Sequence, residues 1–430
     1  KTEIQRIGRT STTPRPAQQT EELIMPSLAR ISEKLDLKEF QLRSLLDLTR
    51  AISANQPMQD ILELFKNVVH QELGISRMVL YTRTDGWKQL VSVGTMDGEE
   101  LALLSALSNL TDIQMIGDAE TNGASAFDVA IPVLHEEEPI ALLLIGDLEE
   151  SQGMSPTVKH LNFIQTITNV VVVALENRRL LISALEQEQT ERELALAADI
   201  QSKLFPESLP NHEKLEMASW YQPHREIGGD HYDVIELPNG NVVFCIADVS
   251  GKGIPASLLM SNFQATLNAL VPYMHSDLEG LVHKLNEKVF QNAKGERFIT
   301  MFLGHYEPEA RKLSYVSAGH NPSLLMTGGY VVGLSEGTVG LGMLEELPFV
   351  KHGEVNVPEK SVLLCYTDGL SEQENQAGEQ FEMDRIGASM QARKDGSMSE
   401  MVDQLRVDLE AFKGESAPLD DIAVLACRFK

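Results

Sequence analysis

The stretch Asn241-Val242-Val243-Phe244-Cys245-Ile246-Ala247-Asp248-Val249-Ser250-Gly251-Lys252-Gly253-Ile254-Pro255-Ala256 decides how the second half of this chain folds. Its first part is a short apolar run rich in Val and Ile, the pattern of a buried strand over 242–247. The run ends on a carboxylate, Asp248, and passes through Ser250-Gly251-Lys252-Gly253 into Ile254-Pro255-Ala256. Proline suits the first position of a helix, where its missing N–H has no partner in any case. Strand, glycine turn and helix start together aim Asp248 at the edge of a sheet, where a ligand would sit.

Three further stretches share this acidic character: Ile227-Gly228-Gly229-Asp230, Tyr366-Thr367-Asp368-Gly369 and Leu419-Asp420-Asp421-Ile422. The last two border the strand-like runs Ser361–Tyr366 and Ile422–Cys427. The glycines before Asp230 allow close backbone approach and positive φ, and Gly369 completes a turn at Asp368. A carboxylate at the end of an apolar strand is costly unless something pairs with it. Several such carboxylates with few basic neighbours point to a hard divalent cation as the shared partner. Each stretch alone also reads as turn or capping chemistry, in which Asp-Gly and Gly-Gly-Asp are common. Local turn needs do not dictate the shared order of all four.

Taken together with Ser317-Ala318-Gly319-His320-Asn321-Pro322 and the upstream Ala198-Asp199-Ile200-Gln201 through Leu204-Phe205-Pro206, these residues resemble the metal-dependent protein phosphatase (PPM) family. The resemblance is to its bacterial branch, related to the sporulation stage II E and sigma-regulator phosphatases, and runs in order over residues 195–430. It implies a β-sandwich flanked by helices with two Mg²⁺ or Mn²⁺ ions at its edge. Carried across, Asp248 would bridge both ions. Asp230 and the carbonyl of Val249 would hold one, Asp368 and Asp420 the other, with Asp421 as the second member of the adjacent pair. Two such ions activate water for in-line attack on a phosphoryl group, so no nucleophilic Ser or Cys is required. The resemblance further implies hydrolysis of phosphoserine or phosphothreonine on a phosphorylated protein, the usual one being an anti-sigma-factor antagonist in a partner-switching pathway. The chain departs from the family pattern at Ala423, where Thr is frequent, and at His231, where an aromatic residue is frequent. His231 is expected to make a hydrogen bond behind the ions. Arg225 is the only arginine near Asp230 to grip a phosphate, and His320-Asn321-Pro322 is expected to be a structural turn.

Composition narrows the field further. The 430 residues suffice for two or three domains. A net charge of −27 disfavours nucleic acid and anionic membrane surfaces, which need basic patches. Three cysteines, Cys245, Cys365 and Cys427, lie in apolar strand-like runs and are expected to be buried, reduced thiols in a cytoplasmic protein. No apolar run reaches the length of a membrane span. The first residue is Lys1, not Met, which fits a piece with further sequence upstream.

Residues 1–40 are expected to be a polar tail followed by a helix from Glu21 to Leu37, with Pro26 marking its true start. Helices over Leu42–Ser53 and Met58–Glu72 come next, then strands Arg77–Thr82 and Gln89–Val93, a helix Gly98–Leu110 and a hairpin Ala126–Leu134 and Ile140–Asp147. A long helix opens at Ser155-Pro156. Over 41–175 this order resembles a GAF domain, a small α/β sensor fold, with no diagnostic motif. Without a cysteine, that domain is not expected to attach a bilin, and its small-molecule or protein ligand is not written in the sequence. The helix continues as a linker over 176–206 into a phosphatase domain at 207–430. Leu175, Ile182 and Leu196 share one heptad position and Leu185 flanks it, the seam of a parallel coiled coil, although Gln189 and Arg192 break it. A solvated connector laced by charge pairs fits equally. The fold class is thus α+β and multidomain, and a homodimer through the first domain and the helix is expected. Two other functions are weighed. A catalytically inactive, sensor-regulated scaffold would not need every ligand carboxylate. A nucleotide cyclase is prompted by Gly228-Gly229-Asp230, but His231-Tyr232 departs from its Glu-Phe and that fold leaves Asp248, Asp368 and Asp420 unexplained.

Overall fold

Alternation along the strands dictates how the layers stack. The computed structural model describes residues 18–84, 86–94, 104, 107–116, 127–146 and 156–430. The tail expected over 1–17 and most of the helix expected over Gly98–Leu110 lie outside the described residues, as do Ala126, Asp147 and Ser155. The chain divides at Glu186/Gln187 into two units.

In the first unit, helix α1 (Gln18–Ser53) is followed by α2 (Met58–Lys66), which continues as a π-helical turn over Asn67–Glu72. Pro26 does not begin α1, which starts at Gln18 and runs through the expected break at 37–42. Residues 36–41 (Asp-Leu-Lys-Glu-Phe-Gln) hold neither Gly nor Pro and so give the helix no reason to stop. Strands β1 (Arg77–Arg83), β2 (Trp87–Val93), β3 (Gln114–Met115), β4 (Val129–His135) and β5 (Glu138–Gly146) form an antiparallel sheet of order β2-β1-β5-β4-β3. Along β5, Ala141, Leu143 and Ile145 join one core with Leu48, Phe65 and Val171, while Leu142 and Leu144 face a second core with Leu104 and Phe127. Helix α3 (Pro156–Ser202) crosses the division between units without interruption. Leu175 is only 6% exposed and packs in the first unit's core, so it is not a seam residue. Ile182, Leu185 and Leu196 stand 49, 56 and 67% exposed.

The second unit is a two-sheet sandwich with helices outside both sheets. Strands β6 (Leu215–Gln222), β7 (His231–Glu236) and β8 (Val242–Val249) precede helices α4 (Ile254–Met274) and α5 (Leu278–Ala293). Then come β9 (Ile299–Glu307), β10 (Lys312–Ala318), β11 (Ser323–Thr327), β12 (Tyr330–Leu334), β13 (Gly337–Thr338), β14 (Gly353–Asn356) and β15 (Ser361–Tyr366). Helices α6 (Asp368–Ser371), α7 (Glu382–Ala392) and α8 (Met398–Lys413) lead to β16 (Ile422–Phe429). One sheet runs β13-β10-β9-β8-β7 with β14 beside β10, the other β12-β11-β15-β16-β6. On β8, Val243, Cys245, Ala247 and Val249 face α4 and α5, whereas Val242, Phe244 and Ile246 face the opposite sheet. Leu363 and Cys365 meet them there, while Val362, Leu364 and Tyr366 turn outward to α7 and α8. All three cysteines are buried and unpaired. Among the described residues, no helix is long and apolar enough to cross a membrane.

The turn after β10 is tightly held. Gly319 takes φ +63°, and His320 Nδ1 meets Thr300 Oγ1 at 2.9 Å. Burial lowers the His320 imidazole from 6.5 to about 4, so the fold holds it neutral. The unfolded chain takes up the proton first. The stability this neutral ring gives is therefore complete above pH 6.5 and is lost as the pH falls toward 4, a change on the order of 3 kcal/mol. Chemical denaturation across that window should show a steeper loss for the wild type than for His320→Gln, and identical slopes would rule the assignment out.

Candidate metal centre

Strand parity also aims the site. Asp248 is the next residue after Ile246 on the face of β8 that looks between the sheets, so its carboxylate lies at the mouth of the sandwich. β8 extends through Asp248 to Val249, two residues beyond the expected end, and its last rungs pair Asp248 with Thr300 and Val249 with Ile299. Asp368 does not sit in an open turn. It is the first residue of the one-turn helix α6, and a Cβ at Gly369 would collide with the Asp421 carbonyl.

Asp230, Asp248, Asp368 and the adjacent Asp420 and Asp421 arrive from four segments and feel one another's charge. Asp230 is 2% exposed. Burial, then the charge of Asp248, push its carboxyl well above the usual range, while Thr367 Oγ1 donates to its Oδ2 at 2.6 Å and acts the other way. Burial, then Asp368, lift Asp248 to about 7. Burial, Asp420 and Glu372 raise Asp368, against which Lys252 is a small offset. The donors are all hard oxygens, and among the described residues the one ammonium or guanidinium paired with them is Lys252, which meets Asp420 Oδ2 at 2.8 Å. That donor set fits a divalent cation such as Mg²⁺ or Mn²⁺. Among the described residues no three acidic, histidine or cysteine side chains already enclose a point as a finished cage. Asp230 and Asp248 approach within hydrogen-bond reach of each other.

Asp421 carries a load the sequence did not announce. Its Oδ2 accepts from Gly229 N at 2.6 Å and its Oδ1 from His224 N at 2.7 Å. It therefore pins the Gly-Gly-Asp turn to the start of β16, and each oxygen keeps a second lone pair. A Cβ at Gly228 would strike Tyr221 Oη and the Asp421 carboxylate, and one at Gly229 would press on the Val249 carbonyl. Neither glycine takes a positive φ. Their role is close approach, and Val249 O thereby lies against the turn that presents Asp230.

Other residues hold the site without appearing in the expected set. Gln201, at the end of α3, donates through Nε2 to Gly228 O at 2.7 Å and Ser257 Oγ at 3.1 Å, and its Oε1 accepts from Gly228 N at 3.1 Å. Thr367 Oγ1 accepts from Ala423 N at 2.8 Å as well as donating to Asp230. Arg297 braces the loop after Asp248: its Nη1 donates to Ser250 O at 2.8 Å beneath Gly251, whose φ is +87°. His231 makes no hydrogen bond among the described residues. Its buried ring packs on Phe205 with Nε2 3.8 Å from Asp233, because Asp233 is already taken by Val234 N and Asn268 Nδ2. Thr367 lay inside the Tyr-Thr-Asp-Gly stretch. Gln201 lay inside the Ala-Asp-Ile-Gln stretch with no role read for it, and Arg297 carried no local signal.

Comparison with known proteins agrees with this architecture. Residues 238–430 match the model of the family "Stage II sporulation protein E (SpoIIE)". The chain is 28% identical over 188 residues to the phosphoserine phosphatase RsbU of Bacillus subtilis, covering 43% of this chain and 55% of that one. It is 29% identical over 189 residues to the phosphoserine phosphatase RsbP of the same organism, covering 42% and 45%. The chain thus spans about half the length of the curated relatives it matches. Among solved structures, the SiaA-PP2C domain of Pseudomonas aeruginosa superposes with a TM-score of 0.52 at 20% identity, covering 57% of this chain and 99% of that domain. The sandwich and its acidic mouth agree with these matches: residues 238–430 are similar to the SpoIIE family, and the fold of the second unit is that of a PP2C-type domain.

Proposed function

We propose that this chain is a sensor-regulated, metal-dependent protein serine/threonine phosphatase of the cytoplasm that releases phosphate from a phosphoserine or phosphothreonine of an anti-sigma-factor antagonist. The observation that carries it is the meeting of Asp230, Asp248, Asp368 and Asp420 at one sandwich edge with a single ammonium for compensation. Two relatives described as phosphoserine phosphatases support the substrate class.

In this reading Asp230 and the Val249 carbonyl hold one divalent ion, Asp368 and Asp420 the other, Asp248 both, and Asp421 stands at the rim of the pair. Once bound, Mn²⁺ or Mg²⁺ supplies charge neutralisation for the phosphoryl oxygens and lowers the pKa of water. Thr367 fixes the rotamer of Asp230, Asp421 fixes the turn beneath it, and Arg297 fixes the loop after Asp248. No thiol serves as nucleophile: burial pushes Cys365 up to about 12 and keeps it inside the sandwich. Asp248→Asn should abolish Mn²⁺-dependent hydrolysis of a phosphoryl ester with the circular dichroism spectrum intact, and Asp368→Asn should do nearly the same. Activity retained in both variants, or undiminished in excess chelator, rules out the two-ion mechanism.

The first unit is a GAF-like sensor in this proposal. Its sheet of order β2-β1-β5-β4-β3 between two apolar cores supports that reading, and its ligand is a small molecule or protein. Ile31, Leu35, Leu42 and Leu46 on α1 and Leu181, Ile182 and Leu185 on α3 are exposed large apolar side chains. Such stripes favour a partner, and a second copy of this chain is the one proposed. Light scattering at micromolar concentration should report twice the 47.6 kDa chain mass, and a monomer would exclude the dimer.

Control is assigned to α3. Gln201 joins its last turn to Gly228, so a shift of the helix moves the backbone that presents Asp230. Gln201→Ala should weaken Mn²⁺ binding about tenfold, the usual effect of losing a group that orients a metal ligand. Helical insertions of one to four residues after Gln189 should change activity with their phase. Indifference of Mn²⁺ affinity to both changes would reduce α3 to a tether.

A further inference from the structure

Resting on the two-ion reading above, we propose that Lys252 is a built-in competitor of the divalent ion at the Asp368–Asp420 half of the centre, an internal cation that must leave Asp420 before an ion can take it. The ammonium stands 2.8 Å from Asp420 Oδ2 and donates to the neighbouring Leu419 carbonyl at 2.6 Å. It thus grips the carboxylate and the chain immediately before it from the far side of the site. Among the described residues, no other Lys or Arg forms an ion pair with any of the five aspartates. The ammonium takes one lone pair of Oδ2 while Asp421 N donates to Oδ1 at 2.9 Å, and the charges of the ammonium and a divalent ion repel each other, so they compete at Asp420.

The setting lets the ammonium leave. The Lys252 and Asp420 side chains are 40% and 39% exposed, so water takes over the ammonium when it swings away and no buried charge is stranded. Gly251 and Gly253 flank it with φ of +87° and +75°. Gly251 is seated on Arg297, while nothing lies within 4 Å of where a Gly253 Cβ would be. The Lys252 side chain thus leaves a short loop held at Gly251 by Arg297 and at Gly253 by the start of α4, with open space beside Gly253. A lysine here keeps the acidic mouth partly neutral while no ion is bound and makes the second ion the weaker one.

The test uses the full chain and reads metal binding directly, by isothermal titration calorimetry with Mn²⁺ and by the electron paramagnetic resonance signal of free Mn²⁺. Lys252→Met keeps the aliphatic stem and removes the charge. It should tighten the weaker Mn²⁺ affinity about fivefold, the change one exposed ion pair is worth, and Lys252→Gln should act alike if folding of the first variant fails. Lys252→Arg should stay within about twofold of wild type. Asp368→Asn separates the two levels of the argument. If it binds Mn²⁺ like wild type, the two-ion reading itself falls. If it weakens binding while Lys252→Met and Lys252→Gln bind no more tightly than wild type, the lysine is only a clip between loops and the competitor is overturned. A rise in KM for a small phosphate ester in Lys252→Met with unchanged Mn²⁺ affinity also overturns it, and makes Lys252 a phosphate contact.

Discussion

Repulsion among carboxylates at the end of an apolar sandwich is the constraint on which the second unit is organised. Each aspartate is cheap to place alone in water, but the strands that carry them are buried, and their ends converge. Burial and mutual charge together raise Asp230, Asp248 and Asp368 above the usual range. A fold under such stress opens the site unless other contacts hold it. Apart from Lys252 on Asp420, the contacts made to the carboxylates themselves are neutral or backbone groups: Thr367 on Asp230 and the Gly229 and His224 amides on Asp421. They fix geometry without cancelling the charge, which leaves the neutralisation to whatever binds. This is the opposite of a structural ion-pair network, where each acid would already have its base.

How much of this was legible follows from the range of the interactions. Runs such as Val242–Ala247, Ser361–Tyr366 and Ile422–Arg428 announce themselves because central strands are buried on both faces and cannot tolerate polar residues. Strands β7, β11, β12, β13 and β14 went unseen. They are short, several lie at or near the sheet edge, and they mix Asp, Glu, Gly or Thr with their apolar residues. The meeting of the carboxylates was legible because acidic residues at the ends of apolar strands stand out wherever they occur. The residues that hold them were not. Asp421 meets Gly229 across 192 positions and Gln201 meets Gly228 across 27, and both bind backbone groups that every residue possesses. Such contacts leave no local pattern. The role given to the two glycines was half right for a related reason: close approach and positive φ both call for glycine, and the sequence does not say which is used.

The Gly228-Gly229-Asp230 turn is gripped from two sides, and this shapes how regulation can work. Asp421 holds it from β16, an element locked in the centre of a sheet. Gln201 holds it from the last turn of α3, whose exposed middle carries few tertiary contacts and is laced by local pairs such as Arg192 with Glu188 and Gln189 with Glu193. One grip is rigid and the other is the end of a long lever. Displacing the lever does not need to unfold anything: the loss of three hydrogen bonds from Gln201 leaves Gly228 and Ser257 free to pair with water, a modest change in free energy because water replaces each bond. The consequence for Asp230 is larger than the energy, since ion ligands tolerate displacements of only about 0.5 Å. A switch of this kind has small differences between its states and a large difference in what they can bind, as a two-state control element requires. The role proposed for Lys252 follows the same logic: a weak, exposed pair to Asp420 would set how readily that carboxylate accepts an ion.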